Sequence, residues 1–190
     1  MAIDIIHFPA TPGVRIVSDM KTILWATLTA NGNYAQSSAE HPPRPEALAD
    51  FAAQARAAGN FIVGRRTFEG FQAGAGSGGN PFAALDIVVV SHTAKPVPGI
   101  TVVASPREAL AHLERKGHAT ALIAGGAALH NAFLGAGLVD ELMFDIVPVL
   151  EGKGLNLVSD QSAYRYQDLA LASTRSLGAG ITQLHFTVRR

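Results

Sequence analysis

The apolar positions of this chain follow two rhythms. Short continuous runs rich in branched side chains fall at 23–29, 60–63, 86–90, 100–103 and 119–124, a pattern that suits strands buried on both faces of a parallel sheet. Helical spacing lies between most of them. Residues 45–58 set Leu48, Phe51, Ala52 and Ala55 on one face and stop at Gly59. Ser105, Pro106 and Glu108 supply a cap, a first-turn proline and a capping-box partner for a second helix that ends at Gly117. A third helix opens at Gly125-Gly126 and runs through Leu129 and Phe133 to the glycines at 135 and 137. Alternating strands and helices predict crossover units around a parallel sheet. The ending differs: 141–150, 164–173 and 181–188 are strand candidates without long helices between them, and Leu184, Phe186 and Val188 alternate with polar neighbours. These predict antiparallel additions to the same sheet, and the chain is assigned to the α/β class.

Residues 70–84 are rich in glycine, which suits either a plain linker or a lid facing a ligand. Nothing there marks a second domain. At 190 residues the chain fits one domain, assigned to 21–190, with 1–20 as an N-terminal extension carrying Pro9, Pro12 and Gly13. Lys plus Arg and Asp plus Glu are 15 each, so no net field exists to hold a phosphate backbone or an anionic membrane. Neither nucleic acid nor membrane is expected as a partner. The absence of cysteine removes disulfides, thiolate catalysis and cysteine-based metal sites together. Its seven histidines are scattered without metal-ligand spacing, and no metal is assigned. No secretory signal pattern and no apolar run of about 18 residues occurs, so a cytoplasmic protein is expected. The low charged fraction, 16% against a usual figure of about 25%, fits surface hidden in a homodimer.

Candidate chemistry gathers at three strand exits. In GRRTFE, Gly64 allows close backbone approach, Arg65 and Arg66 add cations, and Thr67 opens a helix whose amides favour phosphate. A glycine turn with two solvated arginines reads equally well. In VVVSHT, Ser91, His92 and Thr93 put hydroxyls and an imidazole after a strand, which is also what a plain polar loop does. In IAGGAALHNAFL, Gly125 and Gly126 stand at a strand-to-helix junction and present amides to an anion, or merely pack closely. A nucleophile elbow, a phosphate-loop lysine and a GxGxxG turn are all missing.

Taken in order, GRRTFE, VVVSHT, IAGGAALHNAFL, LVDELMFDIVPVLEGKG and LHFTVRR resemble the dihydrofolate reductase superfamily, and most closely the C-terminal reductase domain of riboflavin biosynthesis (the RibD C-terminal domain) over about residues 21 to 190. The resemblance implies a three-layer fold with a mixed sheet of about eight strands, mostly parallel, and NADPH bound across the strands' carboxyl ends. It implies phosphate contacts from Gly64, Arg65, Arg66 and Thr67. Ser91, His92 and Thr93 would hold the adenosine end with its 2′-phosphate. The pyrophosphate would lie against Gly125 and Gly126, a pair often joined by a cis peptide in such enzymes, with Ala127, Ala128 and Leu129 opening the helix behind. Ala26 and Gly32, in ATLTANGNY, would lie beside the nicotinamide.

Two departures bear on the substrate. Riboflavin reductases usually have Asp-Gly where this chain has Asn31-Gly32, replacing an acid by an amide without useful acidity. Folate reductases carry an acid on the helix corresponding to 45–58. Alignment puts Leu48 at that position, with Glu46 and Asp50 pointing elsewhere. Asp145, in LMFDIVP, sits mid-strand among apolar residues, where a charge is costly unless paired or facing a polar pocket. It is the candidate substrate contact, against the alternative of a surface or interface aspartate, while Asp140 and Glu141 are taken as exposed connectors. The reading implied is an NADPH-dependent reductase acting on a nitrogen heterocycle or its ribosylated pyrimidine precursor, with Asn31 and Asp145 as candidate catalytic residues. Alternatives are a dihydrofolate or pteridine reductase, a catalytically decayed NADPH-binding protein, or a purely structural homodimer.

Overall fold

A computed structural model describes residues 19–35, 41–74, 81–159 and 166–189. The expected N-terminal extension, apart from Asp19 and Met20, lies outside the described residues. So does much of the glycine-rich segment, 75–80.

An eight-stranded sheet forms the middle layer, in the order β4-β3-β2-β5-β1-β6-β8-β7. The elements run β1 (Lys21–Thr29), α1 (Pro45–Ala58), β2 (Asn60–Gly64), α2 (Arg65–Gly74), β3 (Asp86–Val90), β4 (Thr101–Val103), α3 (Pro106–Arg115), β5 (Thr120–Gly125), α4 (Ala127–Gly135), β6 (Glu141–Val147), β7 (Leu169–Gly178) and β8 (Ile181–Val188). β1 lies between β5 and β6 and pairs in parallel with both. β8 runs antiparallel to β6 and to β7, so the three-layer mixed sheet matches expectation.

The continuous apolar runs are explained by burial on both sides. In β2 and β3, Phe61, Val63, Ile87 and Val89 pack beneath α1 and α2 with Phe51, Ala55 and Phe68. Their neighbours Ile62, Val88 and Val90 pack on the opposite face with Ala109 and Leu113 of α3 and Leu129 and Phe133 of α4. Strand alternation delivers successive residues to the two cores. Among the described residues, no helix is long and apolar enough to cross a membrane.

Four local expectations need correction. α2 begins at Arg65 and continues to Gly74, so the start of the supposed glycine loop is helical. β7 runs Leu169–Gly178, later than 164–173, because it is placed by pairing with β8 rather than by its own apolar content. On α1, Leu48 is 44% exposed, whereas Ala47, Asp50, Phe51 and Ala55 are buried. The helix is thus rotated from the expected face, and it turns a carboxylate inward. Glu141 is buried and bonded to Lys21 and His185, and Asp140 accepts hydrogen bonds from the backbone and hydroxyl of Thr22, so neither is a free connector.

Candidate active site

Two strand-to-helix junctions meet at the carboxyl ends of β2 and β5. Val63 pairs with Gly125, and a Cβ on Gly64 would lie 3.7 Å from Gly125 O and 3.8 Å from Gly126 N. The Gly125-Gly126 peptide is cis. Gly125 has a φ of +106°, a conformation glycine adopts readily, and a Cβ on Gly126 would stand 3.0 Å from Thr67 Oγ1. α2 and α4 therefore start side by side, and neither has an acidic residue in its first turn. Glu46 and Glu108 occupy the corresponding turns of α1 and α3. Uncompensated amides at paired helix starts favour an anion.

At the exit of β3, a groove of about 440 Å³ lies between α2 and the segment after β3, lined by Arg65, Gln72, Thr93 and Lys95 among others. Arg65 donates to both carboxylate oxygens of Glu69, each at 3.0 Å, so a ligand phosphate would compete with an exposed partner. Arg66, His92 and Thr93 are exposed. Ser91 Oγ accepts from Thr93 N and Ala94 N, which shapes the turn. Lys95 was not anticipated, because a lone lysine after Thr93 carries no pattern. Ala26 and Leu129 are core residues, and Ala128 is exposed in the first turn of α4.

The loop after β1 is tied on two sides. Asn31 Nδ2 donates to Glu151 O at 2.9 Å, while its Oδ1 accepts from Thr29 Oγ1 and Glu151 N. Buried Asn33 donates to the same carbonyl at 2.8 Å. An aspartate at 31 has no hydrogen to give to Glu151 O, so here the asparagine fastens the loop. Asn31 and Asp145 belong to separate networks. Behind the loop, Tyr34 Oη lies 2.6 Å from His130 Nδ1, and a Cβ on Gly125 would lie 3.3 Å from the His130 ring. Burial pushes the His130 imidazole down to about 4, against the hydrogen bond to Ile123 O. The ring is therefore neutral, with Nε2 donating to Ile123 O and Nδ1 accepting from the tyrosine. Burial also raises the Tyr34 hydroxyl above its usual range. Tyr34→Phe should strand a buried acceptor and lower unfolding free energy by about 1–2 kcal/mol, measured by urea denaturation.

The second cluster lies beneath α1, and its members are far apart in sequence. Asp145, wholly buried, faces Gln183 across the β6–β8 pair, so it is neither a surface nor a free interface residue. Gln183 Nε2 donates to Asp145 Oδ1 and to Asp50 Oδ2, both at 2.7 Å. Trp25 Nε1 also donates to Asp50 Oδ2, and Gln54 to Oδ1. Arg175 donates to Asp50 Oδ1 and to Gln183 Oε1. Asp145 Oδ2 is buried without a hydrogen-bond partner. Burial lifts the Asp145 carboxyl to about 7; the Gln183 bond opposes this, the Asp50 charge adds to it, and the Arg175 charge and the nearby Trp25 indole N–H, which bonds to Asp50, oppose it to a lesser degree. Sequence reasoning found Asp145 from its apolar context but missed Asp50, Gln183 and Arg175. The sequence pattern puts Asp50 off the apolar face of α1, and Gln183 and Arg175 follow no pattern at all.

Comparison with known proteins identifies the fold and the family. The family described as the RibD C-terminal domain matches residues 21–183. No curated protein sequence matches the chain. Among solved structures, a putative riboflavin biosynthesis protein from Shewanella sp. PV-4 superposes with a TM-score of 0.72 at 21% identity, covering 90% of this chain and 100% of that one. A pyrimidine reductase-like protein from Corynebacterium diphtheriae gives 0.71 at 16% identity, covering 90% and 92%. Dihydrofolate reductase from Enterococcus faecalis, complexed with NADP(H) and RAB-propyl, gives 0.66 at 18% identity, covering 90% and 98%. These likenesses establish a dihydrofolate reductase-like fold, and the match across most of its length places the chain in the RibD C-terminal domain family.

Proposed function

We propose that the protein is an NADPH-dependent reductase acting on a nitrogen heterocycle or its ribosylated pyrimidine precursor, similar to a 5-amino-6-(5-phosphoribosylamino)uracil reductase. The observation that carries this is the pairing of the Gly64–Thr67 and Gly125–Gly126 junctions, where backbone approaches backbone and two helix starts lack acidic residues. A pyrophosphate suits that position. Arg65, Thr93 and Lys95 line the adjoining groove, which suits the adenosine end and its 2′-phosphate. NADPH would supply the hydride when bound. The chain's own residues would orient the substrate, and the Asp145 carboxyl, wholly buried in this structure, would offer it a polar contact once opened to it.

Asp50 supports a second reading. It gives α1 the inward carboxylate that Leu48 does not, so a pteridine substrate regains support. Calorimetric titration with NADPH and NADH tests the cofactor assignment. NADPH should bind more tightly than NADH, Arg65→Ala should weaken it about tenfold, and Gly126→Val should weaken it at least about 100-fold by driving a branched side chain against Thr67. Binding of neither dinucleotide would overturn the reading. NADPH oxidation with pyrimidine and pteridine substrates then separates the two substrates, and binding without turnover of either would indicate decayed chemistry.

A further inference from the structure

Asp50 and Asp145 are held differently by the same glutamine. Arg175 donates to Gln183 Oε1 at 2.9 Å, which fixes the amide so that Nε2 faces the carboxyls. Both amide hydrogens are then engaged, one to Asp50 Oδ2 and one to Asp145 Oδ1. Asp50 is surrounded by donors: Arg175 and Gln54 at Oδ1, Trp25 and Gln183 at Oδ2. That arrangement suits a carboxylate and leaves no oxygen free for a proton. Asp145 receives one donor, at Oδ1, and its buried Oδ2 has none. A proton on this pair of carboxyls therefore belongs on Asp145 Oδ2.

We propose that Gln183, oriented by Arg175, is the positioning residue that separates the roles of the two buried carboxyls: it commits Asp50 to the charged form and leaves Asp145 to carry a transferable proton on Oδ2. The catalytic use of that proton rests on the reductase reading. With NADPH bound, a C=N or C=O carbon of the substrate would take its hydride, and the adjoining nitrogen or oxygen would take the proton of Asp145, wholly buried here, once that carboxyl is opened to it. NADP⁺ and the reduced substrate would result, and the Asp145 carboxylate would be reprotonated from water. The substrate class is thus a heterocycle, or ring-opened precursor, that presents an acceptor atom to the carboxyl. The charged groups facing Asp145 are Asp50 from α1 and Arg175 from β7. Further along the same face lies His185 of β8, paired with Glu141, which also binds Lys21.

The test is a carboxyl ¹³C NMR titration of the full chain labelled at aspartate, with Asp145→Asn and Asp50→Asn providing assignments. Asp145 should titrate in the neutral range, and that transition should be missing from Asp145→Asn and present in Asp50→Asn. Gln183→Leu should move the Asp145 midpoint upward by about one pH unit, because a donor to its charged form is lost. Arg175→Met is the second variant, and it should move the midpoint upward by removing a nearby positive charge. Asp145 ionised at pH 5, or a neutral-range transition that survives Asp145→Asn, would overturn the proposal. The titration needs no dinucleotide, so its failure is distinguishable from a failure of NADPH binding.

Discussion

Replacing Asp145 by asparagine is expected to abolish most of the fall in stability between about pH 4 and pH 7. The folded carboxyl ionises near 7 and its ordinary value is 3.8. Between those values the unfolded chain has released a proton that the folded chain retains, so unfolding free energy decreases as pH rises and levels off above about 7. With 1.36 kcal/mol per unit, the contribution is at most about 4 kcal/mol. An asparagine at 145 imitates the protonated acid: its oxygen accepts from Gln183, and its amide takes the place of Oδ2–H. The variant should match the parent near pH 4 and exceed it by up to those few kcal/mol at pH 8. Urea unfolding at a series of pH values measures this. Parallel curves for the two proteins would mean that Asp145 is ionised throughout.

Asp50→Ala should be the most damaging single change in the cluster, lowering stability by about 3 kcal/mol. Its carboxylate accepts from Trp25, Gln183, Gln54 and Arg175, and removing it strands buried donors, each costing roughly 1–3 kcal/mol. The total stays near the lower end of a simple sum because the Arg175 side chain is 53% exposed and can turn to water. For the same reason Arg175→Met should cost only about 1 kcal/mol. Equal losses in both variants, by urea denaturation, would show that the pair and not the Asp50 hub carries the stability. Asp50→Ala also removes a like charge beside Asp145, so the Asp145 midpoint should fall in that background.

The two parts of the site differ in how far the chain announces them. Gly64, Thr67, Gly125 and Gly126 fall at strand exits, where a glycine next to a helix start has a local meaning that no other residue supplies. Their meeting across β2 and β5 follows from the parallel order. The buried carboxyl cluster is assembled from β1, α1, β6, β7 and β8, with Asp50 and Gln183 separated by 133 positions, and no spacing rule joins them.

By itself the sequence determined the layered α/β fold, because continuous apolar runs must be buried on both faces and alternating ones on one. It also determined the glycine junctions and the oddity of a carboxyl at 145. Tertiary structure decided the rotation of α1, which exposes Leu48 and buries Asp50, since an apolar face about as wide as the helix permits more than one phase. It decided that Asn31 fastens a loop, because its partners lie at Glu151. It decided the placement of β7, which borrows its register from β8. Local periodicity reports what a segment must bury, and only packing reports which distant polar groups share the space left over.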